Sequence, residues 1–88
     1  MRNWWVYVLR LEEGKYYVGI TSQTPEIRMQ EHTNHVRSAY WTQKYKPVEI
    51  YYKEELGVIK KEDAEAIENL LTRKYMRQFG LNNVRGGD

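Results

Sequence analysis

The sequence predicts an α+β fold: a small antiparallel three-stranded sheet flanked by helices, with residues 1–88 forming one domain. Three observations predict it. Two runs rich in aromatic and β-branched residues, Trp4 to Leu11 and Tyr16 to Thr21, are separated by a short segment ending at Gly14, the composition of paired strands around a tight loop. A third run of this type follows Pro47. Beyond it, a long stretch from about Lys60 to Phe79 carries apolar residues at helical spacing. Eighty-eight residues are enough for one modest core and too few for two.

In the first hairpin, a three-residue loop closing on glycine supplies the positive φ that such loops need. That loop length places Leu11 opposite Lys15, Leu9 opposite Tyr17 and Tyr7 opposite Gly19. Side chains alternate along a strand, so Trp5, Tyr7, Leu9, Tyr17 and Gly19 share one face. Two phenols then flank a position without a side chain. Glycine inside a strand often marks close approach by a ligand or another backbone. Strands also use tyrosine as ordinary packing, and the chain has eight, so the pair alone does not define a site.

Thr24-Pro25-Glu26 gives an N-cap, a proline at the first helical position and an acid in the first turn, which starts a helix running from Pro25 to about Thr33. Residues 34–46 have no sustained period and read as a loop with room for a helical turn. Val48 to Lys53 reads as a strand with Val48, Ile50 and Tyr52 on one face, followed by a turn at Leu56-Gly57. The last helix ends at Gly80, a C-terminal cap. No repeat, low-complexity segment or linker divides the chain.

Composition removes several function classes. With no cysteine, a disulfide framework, a thiolate metal site and a cysteine nucleophile are all excluded. No apolar run approaches a membrane span and the N-terminus lacks a signal-type apolar core, so a soluble, cytoplasmic protein is expected. A net charge of +2 is too small to argue for nucleic acid by itself. The middle of the chain is more basic: Arg28, Arg37, Lys44, Lys46 and Lys53 face only Glu31 and Glu49. Interleaved with Tyr40, Trp41 and Tyr45, these residues suit a phosphate backbone and stacked bases, or equally a solvated loop.

The long helix carries the second informative residue. Ala64, Ile67, Leu71, Tyr75 and Phe79 form one apolar stripe, and Glu68 falls inside it. A carboxylate there is costly unless it is paired, protonated or bound to a cation; Arg28, Arg73 and Lys74 are the available ion-pair partners. On the first helix, Arg28 and His32 lie one turn apart and project from the same side. Arginine offers a planar fork suited to phosphate oxygens, and histidine exchanges a proton near neutral pH. His35 is a further candidate without a nameable partner.

Taken together, Val6-Tyr7-Val8, Tyr17-Val18-Gly19-Ile20-Thr21, Arg28 with His32, Ala66-Ile67-Glu68-Asn69 and the tail from Asn82 to Gly87 resemble the GIY-YIG nuclease superfamily. The likeness is ordered and spans nearly the whole chain. It implies metal-dependent hydrolysis of a DNA phosphodiester, the chemistry of homing endonucleases, some restriction enzymes and the incision subunit of nucleotide excision repair. In that resemblance Glu68 binds one divalent cation, Mg²⁺ or alternatively Mn²⁺. Tyr17 helps activate the attacking water with Tyr7 close by, Arg28 braces the phosphate, and His32 assists the proton transfer or holds the phosphate. Gly19, Arg37, Lys44 and Asn83 (or Asn82) serve substrate binding.

Val6 replaces the glycine of the first motif, and Ile20 stands where some repair-type members have lysine, which leaves His32 or Arg28 as cationic help for Tyr17. The family usually joins its catalytic domain to a DNA-recognition module; none is visible, so the expectation is an isolated nuclease domain, a fragment of a larger protein, or an enzyme for which a separate domain or partner protein supplies specificity. The mechanism requires Arg28, Tyr7, Tyr17 and Glu68 to converge on one concave surface, with Glu68 on the same side of the sheet as Tyr17. Two other readings are an inactive nucleic-acid-binding module of the same fold, and an interaction domain exposing Trp4, Trp5 and Trp41.

Overall fold

The computed structural model describes residues 1–87. In chain order the elements are β1 (Arg2–Leu11), a 3₁₀ turn (Glu12–Gly14), β2 (Tyr16–Thr21), α1 (Pro25–Thr33), α2 (Tyr40–Lys44), β3 (Pro47–Ile59), α3 (Lys61–Phe79), a second 3₁₀ turn (Leu81–Asn83) and β4 (Val84–Gly86).

The hairpin has the expected register, with Leu9 opposite Tyr17 and Tyr7 opposite Gly19. Glu13 and Gly14 take φ of 60° and 70°, and the Leu11 N–H reaches the Lys15 carbonyl at 2.7 Å. α1 begins where the capping signals put it, the Thr24 hydroxyl accepting from the Ile27 N–H, and ends at Thr33 as expected.

The α+β class holds, but the sheet has four strands in the order β3-β1-β2-β4 rather than three. The tail, too short to show a period, pairs parallel to β2, with Val84 opposite Tyr16 and Gly86 opposite Val18. It thereby satisfies backbone groups along the first half of the outer edge of β2. Gly86 is required there, because a Cβ at this position would run into the Thr72 side chain.

β3 is also longer than expected and continues through Leu56-Gly57. Gly57 lies opposite Trp4 and Glu55 opposite Trp5, so Leu56 is an inserted residue and Gly57, at φ of 92°, absorbs the bulge. A second register shift, between Val8 and Leu9, leaves Tyr52 opposite Val8 and Ile50 opposite Leu9, and a third follows between Arg10 and Leu11. Adjacent positions of β1 point to opposite faces, so Ile50 and Tyr52 do not share one; the bulge resets the alternation.

The sheet is covered on both sides. Tyr7, Leu9, Leu11 and Tyr17 pack beneath α1 and α2 with Met29, Ala39, Trp41 and Tyr45. On the other face Val6, Val8, Val18 and Val84 pack against Tyr75, Leu71, Met76 and Phe79 of α3. The buried line of α3 runs through Ala64, Glu68, Thr72 and Tyr75, while Ile67 is 37% exposed. The helix is thus rotated from its apolar stripe, and Glu68 lies on its buried line. No helix among the described residues is long and apolar enough to cross a membrane. The tryptophans form no exposed patch: Trp4 is buried, and Trp5 and Trp41 are half-buried beneath Lys53 and Arg85.

Candidate active site

β4 pairs with β2 only as far as Val18, which among the described residues leaves Gly19 to Thr21 as an open edge. α1 approaches this edge from one face of the sheet and α3 from the other. The candidate side chains gather around it.

On the α1 face, Tyr7 and Tyr17 are both 1% exposed, with ring centroids 6.4 Å apart. A Cβ at Gly19 would collide with the Tyr7 hydroxyl and lie 2.6 Å from Tyr7 Cζ. The bare position therefore makes room for a phenol of the chain's own, as well as for any substrate. The Tyr7 hydroxyl meets His32 Nε2 at 3.1 Å, and His32 Nδ1 meets the Thr42 hydroxyl at 2.9 Å. His32 is fully buried. Burial, followed by the Arg28 guanidinium, pushes its imidazole down to about 4, which makes it neutral at pH 7.

Arg28 is 8% exposed. Its Nη1 bonds Glu31 at 3.0 Å and its Nη2 donates to the Arg37 carbonyl at 2.8 Å, so the guanidinium is oriented before any substrate arrives. Arg37 takes a positive φ of 47° and pairs with Glu31 at 2.6 Å. Arg28, Arg37, Thr21, Gln23 and Lys61 line a cleft of about 510 Å³.

On the α3 face, Glu68 is 6% exposed. Among the described residues it forms no ion pair with Arg28, Arg73 or Lys74. Burial first, and the neighbouring Glu65 second, raise its carboxyl to about 7, an effect that the facing Ile20 backbone amide offsets only in part. Glu68 lines a second cleft, of about 530 Å³, with Ile20, Asn69 and Gly87. Trp4 and Lys61 line both clefts, which makes them one groove wrapped around the open edge.

The four expected groups therefore do not share a sheet face: Glu68 lies on the side opposite Tyr17. A mechanism confined to one face is overturned, because α3 must cover Val6, Val8 and Val18 while α1 covers the odd-numbered side. What joins the two sides is Gly87. The Tyr17 hydroxyl donates to the Gly87 carbonyl at 3.1 Å, and Glu68 Oε1 would lie 3.5 Å from a Cβ built on the same residue. Hydroxyl and carboxylate thus reach one residue from opposite sides of the sheet.

Two tyrosines, an oriented arginine, a buried histidine and a desolvated glutamate now stand in a fixed order along the chain and around one strand edge. Residues 3–82 match the family model of the GIY-YIG catalytic domain. The chain belongs to the GIY-YIG family. No curated protein and no solved structure matches it.

A GIY-YIG domain has a nuclease-type fold, and nucleases of this family act on DNA and generally depend on a divalent metal. The residues here fit such an ion. A carboxylate raised by desolvation and left without a cationic partner among the described residues gains most from a nearby divalent charge. Mg²⁺ is commonly held by one or two carboxylates, completing its shell with water and substrate phosphate oxygens. Among the described residues no cluster of three or more ligating side chains is present, so donors beyond Glu68 would come from those sources.

Three candidates stand outside the groove. Lys44 lies over the Tyr45 ring, as does Lys15, whose ammonium bonds Asn83 Oδ1 at 2.8 Å. Asn83 also donates to the Phe79 carbonyl at 2.8 Å and so closes the end of α3 near the hairpin loop. His35 is exposed, with φ of 58°. Sequence reasoning missed Thr42, Trp4, Lys61 and Gly87. Thr42 sits in an aperiodic segment where nothing marked it. Gly87 had a faint signal, a glycine pair near the chain end.

Proposed function

We propose that this GIY-YIG domain, spanning residues 1–88, is an intracellular DNA endonuclease that hydrolyses a phosphodiester bond with one divalent ion, Mg²⁺ or in its place Mn²⁺. The observation that carries the reading is the meeting of the Tyr17 hydroxyl and the Glu68 carboxylate at Gly87, with the oriented Arg28 lining the adjoining cleft. Glu68 would hold the ion, which when bound would supply charge stabilisation to the phosphate and to the departing 3′ oxygen.

The protein's own groups do the rest. Arg28, already aimed by Glu31 and the Arg37 carbonyl, braces the phosphate as negative charge develops. Tyr17 helps orient and activate the attacking water. Tyr7 belongs to the same proton network through neutral His32, an available proton acceptor. Gly19 keeps the two phenols close to the strand edge, and Arg37 adds positive charge at the rim. Lys44 and Asn83 would contact DNA away from the scissile bond. In this reading specificity would come from a separate domain or partner protein.

A nicking assay on supercoiled and branched DNA with Mg²⁺ or Mn²⁺ tests this, comparing the natural chain with Glu68→Ala and Tyr17→Phe. Cleavage by the natural chain and loss in both variants is expected. Equal cleavage by all three would remove the site assignment. DNA binding without cleavage would instead favour a nucleic-acid-binding module that has kept the fold and lost the reaction.

A further inference from the structure

We propose that Thr42 is a positioning residue that fixes the tautomer of His32, holding the ring proton on Nδ1 so that Nε2 faces the Tyr7 hydroxyl as an acceptor. The argument rests on a count of protons. A threonine hydroxyl has one proton to donate and two lone pairs. Thr42 lies in the first turn of α2, and its hydroxyl donates to the Ala39 carbonyl three residues back at 2.9 Å. With its proton committed there, the oxygen meets His32 Nδ1, also at 2.9 Å, as an acceptor.

A neutral imidazole has one N–H, so a proton on Nδ1 leaves Nε2 with a bare lone pair. That nitrogen lies 3.1 Å from the Tyr7 hydroxyl. Tyr7, His32 and Thr42 are 1%, 0% and 0% exposed, so bulk water does not compete for these bonds. The hydrogen bonds therefore all point one way, from Tyr7 to His32 to Thr42 to the Ala39 carbonyl. Neighbouring groups keep the ring neutral at pH 7: burial acts with the Arg28 guanidinium, and Glu31 opposes them only in part.

The direction has a chemical consequence, and this part rests on the proposed nuclease reading. As an O–H bond of the attacking water, oriented by Tyr17, breaks, its proton passes to the Tyr7 oxygen and the Tyr7 proton passes to His32 Nε2. The water oxygen bonds phosphorus, the bond from phosphorus to the 3′ oxygen breaks, and the leaving oxygen takes a proton from solvent. The chain ends at a backbone carbonyl, which accepts a hydrogen bond but takes up no proton, so the imidazolium returns its proton through Tyr7. With the ring proton on Nε2 instead, His32 could only donate to Tyr7, and the first transfer would have no acceptor.

The test is long-range ¹H–¹⁵N NMR of the full chain with labelled histidine at pH 7, with His35→Gln used to assign the two rings. The His32 ring is expected to show a protonated Nδ1 and an unprotonated Nε2. Thr42→Val keeps the shape and removes the acceptor, and is expected to move the proton wholly or partly to Nε2; Thr42→Ser is expected to restore Nδ1. Cleavage should fall by at least about tenfold in Thr42→Val and recover in Thr42→Ser. An Nε2–H tautomer in the natural chain would overturn the proposal, even if Thr42→Val failed to fold. An unchanged Nδ1–H tautomer in folded Thr42→Val would overturn it too. If the natural chain cut no DNA, the nuclease reading would fall while the tautomer result still decided the role of Thr42.

Discussion

Replacing Glu68 with glutamine is expected to stabilise the metal-free protein at pH 8 while abolishing cleavage. The Glu68 carboxyl is raised from 4.5 to about 7. At ~1.4 kcal/mol per unit, ionising it in place costs the folded state about 3 kcal/mol relative to the unfolded chain. The contribution of a raised group is present below its unfolded value and is lost as pH climbs through the folded one, so the cost develops between pH 4.5 and about 7.

His32 acts in the opposite sense. Lowered from 6.5 to about 4, it contributes stability that is present above 6.5 and is lost as pH falls toward 4. Between these limits the two slopes oppose each other and the natural chain should be nearly flat. In Glu68→Gln only the histidine slope remains, so stability should climb with pH. For a domain of this size 1 kcal/mol moves Tm by ~4–8 °C, so a gain of roughly 10–20 °C is expected at pH 8 and only a few degrees at pH 5. Thermal unfolding at both pH values in EDTA measures this. Added Mg²⁺ should raise Tm of the natural chain and leave the variant unchanged. A gain of equal size at pH 5 and pH 8 would refute the reasoning, because it would show that the carboxylate charge is not what destabilises the fold.

Three further outcomes are expected. Mg²⁺ binding should weaken by about tenfold per pH unit below about 7, since the ion competes with the Glu68 proton; calorimetry across pH 5.5–8 would show a pH-independent affinity if Glu68 is not the ligand. Gly19→Ala should cost roughly 1–3 kcal/mol and displace Tyr7 from His32, because the new methyl meets the Tyr7 ring; urea unfolding at unchanged stability would contradict the packing described. Tyr17→Phe removes the bond to the Gly87 carbonyl at a stability cost of about 1 kcal/mol, yet it should lower cleavage by far more than that loss of fold would explain. Matching small effects on both would reduce Tyr17 to a packing residue.

The sequence by itself determined the local structure and the candidate chemistry. A three-residue loop ending in glycine fixed the register that sets Tyr7 opposite Gly19, since loop length and side-chain alternation leave little choice. Thr24-Pro25 started α1, and one helical turn carried Arg28 and His32 to the same side. The misplacement of Glu68 relative to the tyrosines has a different origin. A helical stripe says that a residue faces the protein, but not which side of the sheet the helix covers.

Only the tertiary structure decided that α3 packs against Val6 and Val18 while α1 packs against Tyr7 and Tyr17, so that the site wraps an edge instead of filling a face. It alone added the short parallel β4, whose pairing depends on a partner strand almost seventy positions away and which leaves no periodic trace in three residues. It also placed Thr42 beneath His32: a hydroxyl ten residues along the chain has no spacing rule to announce it, and its hydrogen bond exists only because α2 folds back over α1.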